Sequence, residues 1–164
     1  MRKTLSLLFG ISFLVTNIAS AVQPKWERWD IANSVAKKGD WLVVRQPDEG
    51  FCYIKQGYDG YEDKLEVIVK KDGIPILISP FFRGIEGSVR YWVDDGEVRR
   101  IPASMVLKLP QTLVPELKRG SSLYVEFKPV GHRLRKQRLS LSGFTKAFSW
   151  LGGAECRKKV AEKY

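Results

Sequence analysis

The sequence has few of the side chains on which most catalytic and metal sites depend. It contains one histidine and two cysteines. A Ser-His-Asp hydrolase needs an imidazole to carry its proton, and the sole candidate, His132, sits between a Pro-Val-Gly turn and a basic run. Two cysteines cannot by themselves complete a structural zinc site. We therefore expect neither a histidine-dependent enzyme nor a metal site, and the residues indicate no cofactor.

The serine motifs of other hydrolases are also missing. Ser142 lies where a strand-like stretch meets a helix-like stretch, the position of the serine in a nucleophile elbow. The G-x-S-x-G pattern is not present, because Ser140 and Leu141 precede Ser142. The S-x-x-K pattern fails because Thr145 stands at the lysine position. The sequence therefore predicts a protein that is not an enzyme.

Carboxylates are numerous, but they cluster in turns that contain glycine. Paired acids could serve a glycosidase, whereas acids in such turns are usually solvated turn formers. A hydrolase that acts on envelope polymers stays an alternative. The acids concerned are Asp48, Glu49, Asp59, Glu62, Asp63, Asp94, Asp95 and Glu97.

No long apolar run follows the first 21 residues. Arg2 and Lys3 precede an apolar run at 5–15, and the small residues 19–21 suit a signal peptidase. We predict a signal peptide over 1–21 and a mature chain without a transmembrane segment, periplasmic or secreted; an N-terminal membrane anchor is the alternative. Without Arg2 and Lys3 the formal charge of +10 falls to +8.

Cys52 and Cys156 form an even pair. In an exported protein such a pair predicts one disulfide. Two separate buried thiols are the alternative.

Most of the chain alternates like β-strands. Runs at 41–46 and 51–56 flank a Pro-Asp-Glu-Gly turn, and runs at 89–93 and 98–101 flank Asp-Asp-Gly. Helical patterns are confined to 113–119 and 144–151. We predict a mainly-β antiparallel sandwich, or a barrel-like relative, with two short helices. Residues 22–164 form a single domain in this interpretation, and 22–38 is a candidate for a loosely ordered lead-in.

The second helical pattern ends in a possible fastening point. Phe144, Ala147, Phe148 and Leu151 recur at helical spacing and would cover one end of the β core. Ser142 is predicted as the N-cap of this helix. The glycines at 152–153 are predicted to end the helix. A disulfide from Cys156, which follows them, would attach the helix to the strand of Cys52.

A basic run stands out between the last predicted strands. On a strand, Lys136 and Arg138 would share one face and Arg133 and Arg135 the other. Trp92 is a candidate contact residue because it lies on the polar face of its own strand. A solvated, edge-protecting charge run is the alternative. As an anion-binding patch, these residues would take a negatively charged partner.

The C-terminal part has a distinctive order of motifs: a helix end LKRG at 117–120 is followed by the strand LYVEF at 123–127 and by LSLSGFTKAF. In this it resembles the invasion-associated locus B family of exported bacterial proteins, whose "SLxGFxxA" ending the last motif is similar to. Trp41, Cys52 and Gln56 extend the resemblance towards the N-terminus.

The cysteine pattern departs from that family. Arg45 stands near a position where members often have a second cysteine, and no cysteine occurs in the middle of the chain. The disulfide pattern must therefore differ. The resemblance implies a periplasmic or secreted β-sandwich with a loose link to host-cell invasion, and it implies no reaction and no catalytic residues.

These observations predict an exported, non-enzymatic protein that contacts an anionic envelope or host-surface component, or a protein partner. Export disfavours nucleic acid as the partner. Besides the hydrolase, the alternatives include an assembly or chaperone-like role through an exposed strand edge.

Overall fold

The computed structural model describes residues 28–46, 49–58 and 65–157. The predicted signal peptide lies outside these ranges. The described chain forms ten strands: β1 Ser34–Lys38, β2 Trp41–Gln46, β3 Phe51–Tyr58, β4 Leu65–Val69, β5 Pro75–Ile78, β6 Ser88–Val93, β7 Arg99–Pro102, β8 Val106–Lys108, β9 Ser122–Phe127 and β10 Arg135–Ser140.

The strands form two antiparallel sheets. The larger has the order β1-β2-β3-β4-β5-β8, and the smaller has the order β10-β9-β6-β7. The predicted hairpins are present as β2 with β3 and β6 with β7. Pairing of β6 with β9 brings together strands that are distant in the sequence.

The two sheets share one hydrophobic core. Leu65 and Val67 of β4 are buried in the same cluster as Leu123 and Val125 of β9, and the residues between them face outwards. Each sheet thus has one apolar face turned to the other, which is the arrangement of a sandwich. The mainly-β antiparallel prediction is confirmed.

Both predicted helices are present, the first beginning one residue later than predicted and the second ending three residues earlier. They are α2 Val114–Arg119 and α3 Phe144–Phe148, and further short helices are α1 Arg28–Ala32 and α4 Ala154–Arg157. The N-cap of α3 is Gly143, with a φ of 86° and no side-chain cap. The prediction of Ser142 as this cap is therefore wrong: the chain must turn through a left-handed residue before the helix, a conformation that glycine adopts most readily.

Gly143 also lies against the turn between β1 and β2. The N–H of Asp40 donates to the carbonyl of Ser142 at 3.0 Å. A Cβ atom on Gly143 would overlap the carbonyl oxygen of Lys38, and one on Gly39 would overlap that of Ser142. The start of α3 is thus held against the larger sheet by two facing glycines.

A disulfide joins the last helix to the larger sheet. Cys156 of α4 and Cys52 of β3 are bonded, with their Cα atoms 5.1 Å apart and a sequence separation of 104. The predicted pairing is confirmed. Phe144 of α3 packs edge-on against Trp41 at 4.9 Å between ring centres, so the C-terminal segment covers one end of the core.

The outer face of the larger sheet carries a buried ion pair. Lys55 Nζ lies 2.6 Å from a carboxylate oxygen of Asp30, and the Tyr53 hydroxyl donates to the other oxygen at 3.1 Å. Asp30 belongs to α1, so these contacts hold α1 across the outside of the sheet. The segment before β2 is thus attached through a charge pair that strand periodicity does not reveal.

Candidate binding surface

The four strands of the smaller sheet present charged and aromatic side chains on the face turned away from the core. Alternation places Trp92 of β6, Tyr124 of β9, and Lys136 and Arg138 of β10 on this side. The register sets Trp92 opposite Tyr124 and Tyr124 opposite Arg138. The next row across the sheet runs Arg100, Arg90, Glu126, Lys136.

We call this surface the basic–aromatic face. It comprises Arg90, Trp92, Arg100, Tyr124, Glu126, Lys136 and Arg138.

Two stacked rings occupy the middle of the face. The Trp92 and Tyr124 rings are 5.4 Å apart between centres and 15° from parallel. Lys136 Nζ lies 4.9 Å from the centre of the Trp92 ring and 5.1 Å from that of Tyr124. An ammonium group at this distance is attracted by the negative face of an aromatic ring. The cation and the two rings therefore hold one another in place.

The basic–aromatic face has more positive than negative charge. Arg90 pairs with Glu126 at 2.6 Å. Arg138 Nε donates to the Ser122 hydroxyl at 2.8 Å, which orients the guanidinium without neutralising it. Within residues 28–46, 49–58 and 65–157, no carboxylate forms an ion pair with Lys136, Arg138 or Arg100. The positive charge of these three side chains is available to an anion.

The predicted patch is divided by the sheet. Lys136 and Arg138 share the outer face, as the alternation predicted, and the strand pairing brings Trp92 beside Lys136. Arg135 lies elsewhere, with its guanidinium 4.7 Å from the centre of the Phe81 ring. The prediction that Arg133 shares a strand face with Arg135 is wrong, because β10 begins at Arg135 and Arg133 is exposed in the connection that precedes it.

Sequence reasoning did not include Tyr124, Arg90 and Arg100 in the site. Each lies on the polar side of an alternating run, so its outward direction was readable. Their proximity to Trp92 and Lys136 depends on the pairing of β6 with β9 and of β9 with β10. No local signal reports the long-range pairing of β6 with β9.

A cleft beside Ser142 lacks, among its described lining residues, the carboxylate and the imidazole of a Ser-His-Asp site. It measures about 330 Å³ and is lined by Gly39, Lys118, Leu141, Ser142, Gly143, Thr145 and Lys146. This lining, as far as the structure describes it, contains no carboxylate and no imidazole. The Thr145 hydroxyl donates to the carbonyl of Lys118 at 2.8 Å, which joins α3 to α2. Ser142 thus has neither a carboxylate nor an imidazole beside it among the described lining residues.

Several acids of the described chain have structural partners. The Asp94 carboxylate accepts from the backbone N–H groups of Ser121 and Ser122, the shortest at 2.8 Å, and so fixes the turn after β6. Asp48, Asp59, Glu62 and Asp63, which were also considered for catalysis, lie outside the described residues.

Ion pairs stabilise the ionised form of two glutamates. Arg99 binds both carboxylate oxygens of Glu116, at 2.9 and 2.7 Å, and this hydrogen bonding lowers the pKa of Glu116. A hydrogen bond from Lys128 likewise lowers the pKa of Glu86. A general acid needs the opposite shift, so neither glutamate is suited to that role.

The described residues hold neither a metal-ligating cluster nor a membrane-spanning helix. The described ranges contain no group of three or more His, Cys, Asp or Glu side chains able to hold a metal ion. Among the helices that the structure describes, none has the length and apolar character needed to cross a bilayer.

Comparisons with known proteins point to one fold. No family model matches the sequence. No curated protein matches it either. The crystal structure of invasion associated protein B from Bartonella henselae is similar, with a TM-score of 0.55 at 20% sequence identity, covering 71% of this chain and 94% of that protein. The resemblance noted in the sequence is therefore confirmed at the level of fold, and the chain has a fold similar to that of invasion associated protein B.

Proposed function

We propose that this protein is an exported, non-enzymatic binding protein. It contacts an anionic component of the bacterial envelope or of a host surface through the basic–aromatic face. The observation that carries this proposal is the excess of cations beside an aromatic pair on one sheet face. Three side chains there, Lys136, Arg138 and Arg100, have no described carboxylate partner.

The way in which the charges are held supports a binding role. Lys136 is positioned by two rings, and Arg138 by the Ser122 hydroxyl, which is 2% exposed as a residue. Cations that are oriented before binding lose less side-chain freedom when a ligand arrives. A charge run that served solubility alone would not need such contacts.

Export is supported by three independent features. The N-terminal sequence has the pattern of a signal peptide. Cys52 and Cys156 form a disulfide, and disulfides persist in oxidising compartments. The structural neighbour is named for an association with invasion. We therefore place the protein in the periplasm or outside the cell, with a role in envelope interaction or host-cell invasion.

The proposal is tested by retention on a bacterial envelope fraction at increasing salt. The test variant carries Arg100→Gln, Lys136→Gln and Arg138→Gln, and its binding should be weaker and less dependent on salt. A control variant removes the same charge at exposed positions elsewhere: Lys70, Arg119 and Lys146, each to Gln. Equal retention of the test variant and the wild type would rule the proposal out.

A second candidate function rests on the edge of the larger sheet. β8 is a three-residue edge strand, and Val106 and Met105 are each 44% exposed there. An exposed apolar edge can accept a strand from another protein, which would suit a role in assembly. Photo-crosslinking from position 106 in the periplasm should then trap a partner, and absence of any adduct would remove this candidate.

A further inference from the structure

We infer that the ligand of the basic–aromatic face is an acidic polysaccharide, a chain of sugar rings that carry carboxylate or sulfate groups. This inference rests on the proposed function and names the class of ligand for the same surface. The juxtaposition that carries it is a stacked aromatic pair bordered by unneutralised cations on a single sheet.

The face is broad because its charges lie on different strands. Arg100 is on β7, and Lys136 and Arg138 are on β10, with two strands between them. At the usual strand spacing this separates the two groups of cations by about 14 Å at the backbone. Along β10, Lys136 and Arg138 are two residues apart, or about 7 Å. The charges therefore suit an extended ligand with repeated anionic groups better than a single small anion.

The rings between the cations add a second requirement. An aromatic face is electron-rich and attracts partly positive hydrogens, such as the C–H groups on the flat side of a sugar ring. Trp92 and Tyr124 are half-buried next to Arg138, which lies directly opposite Tyr124 in the register, so the part of the rings not covered by their mutual stacking or by Lys136 offers such a surface. A ligand must then present an apolar ring face and an acidic group side by side, as a uronic acid or a sulfated sugar does.

A lipid surface fits this arrangement less well. Membrane-binding aromatics insert into the headgroup region, and for this they must project beyond their neighbours. Trp92 and Tyr124 are only half-buried, but they stack on each other and lie under the ammonium group of Lys136. The rings are thus held against each other with the ammonium group over them, and do not project beyond Lys136.

The test is calorimetric titration of the purified protein with four probes. Two are acidic: a hexamer of α-1,4-linked galacturonate and a hexasaccharide derived from heparin. The third is the fully methyl-esterified galacturonate hexamer, which keeps the sugar backbone and removes the charge. The fourth is a vesicle of phosphatidylglycerol in phosphatidylcholine.

Wild-type protein should bind at least one acidic hexamer. Its affinity for the methyl ester should be lower by about tenfold or more, because the loss of each charge-assisted contact lowers the affinity by about tenfold. Lys136→Gln with Arg138→Gln should lower the affinity for the acidic hexamer by a similar factor. Trp92→Leu keeps the net charge and an apolar side chain, and should lower the affinity for the acidic hexamer about fivefold.

A matched double variant controls for net charge. Arg119→Gln with Lys146→Gln removes two exposed cations on α2 and α3, away from the basic–aromatic face, and should change the affinity by less than about twofold. Far-UV circular dichroism and the melting temperature identify any variant that has not folded.

The outcomes separate this inference from the proposed function. Binding to vesicles but to neither acidic hexamer would overturn the polysaccharide and leave the basic–aromatic face as an anion-binding surface. Binding to the methyl ester as tight as to the acid would also overturn it. Envelope retention that is insensitive to Lys136 and Arg138 would instead remove the proposed function itself.

Discussion

The ammonium nitrogen of Lys136 lies 4.9 Å from the centre of the Trp92 ring, although the two residues are on strands separated by a third. The side chain of Lys136 therefore reaches across β9 and joins the edge of the smaller sheet to its interior. Tyr124 of β9 completes the cluster by stacking on Trp92.

This contact predicts a measurable coupling between the two residues. A double-mutant cycle with Lys136→Gln and Trp92→Leu should give an interaction of about 0.5–1 kcal/mol in the free energy of unfolding, the range of partly exposed cation–π pairs. Urea denaturation of the wild type, the two single variants and the double variant gives the four free energies of unfolding from which this interaction is calculated. A coupling of zero would mean that the lysine does not rest on the ring in solution.

The disulfide should contribute strongly to stability. Cys52 and Cys156 enclose a loop with a sequence separation of 104. Replacing both by serine should lower the free energy of unfolding by about 2–4 kcal/mol, because the unfolded chain regains the freedom that the cross-link removes. The bond itself is checked by intact mass before and after reduction and alkylation. Two thiols that alkylate in the denatured, unreduced protein would contradict it.

Gly143 should be intolerant of any side chain. Its φ is 86°, and a Cβ atom would overlap the carbonyl oxygen of Lys38. Gly143→Ala should therefore cost about 3 kcal/mol or more, from left-handed backbone strain together with forced separation of the β1–β2 turn from α3.

Gly131 provides a matched comparison for that substitution. Its φ is 74°, but no atom lies within 4 Å of a Cβ built on it. Gly131→Ala isolates the backbone strain and should cost only about 1–2 kcal/mol. Equal losses in the two variants, measured by denaturant unfolding, would show that the close approach of Gly39 and Gly143 contributes nothing.

The pair Arg99–Glu116 should make stability depend on pH in the acid range. Hydrogen bonding from Arg99 lowers the pKa of Glu116 in the folded protein. The carboxyl group of Glu116 thus binds a proton less tightly in the folded state than in the unfolded state. The contribution of the pair to the stability of the fold is therefore complete above the ordinary glutamate pKa, about 4.3. It is lost as the pH falls through the lowered folded value.

Glu116→Gln should therefore be less stable than the wild type at pH 7, by about 0.5–1 kcal/mol for a partly exposed pair. The difference should vanish under acid conditions. Glu49→Gln removes one negative charge from an exposed position in the β2–β3 turn and is the matched control for the change in net charge. Unfolding curves recorded between pH 7 and the acid limit of folding decide this, and a Glu116→Gln deficit that persisted in acid would contradict it.

Alternation in the sequence predicted which way many residues face. Leu123 and Val125 were expected on one side of their strand and Tyr124 on the other, and the core and the outer surface divide them in this way. The separation of Lys136 and Arg138 from Arg135 follows from the same period of two. These features depend only on neighbours along the chain, so a single sequence carries them.

Features set by long-range pairing could not be predicted in this way. β5 lies between β4 and β8 although it contains Pro75, and the proline is tolerated because it is the first residue of the strand. The partners of Trp92 depend on the pairing of β6 with β9, and the burial of Lys55 depends on Asp30 of α1. Each of these contacts joins segments that are distant in the sequence.

The basic–aromatic face should be covered when the protein binds its ligand, and hydroxyl-radical footprinting on an envelope fraction measures this coverage. Trp29 is 47% exposed on α1, across the outside of the other sheet, and provides an internal reference. Oxidation of Trp92 and Tyr124 should fall on binding while that of Trp29 is unchanged. Protection of Trp29 with no change at Trp92 and Tyr124 would contradict it.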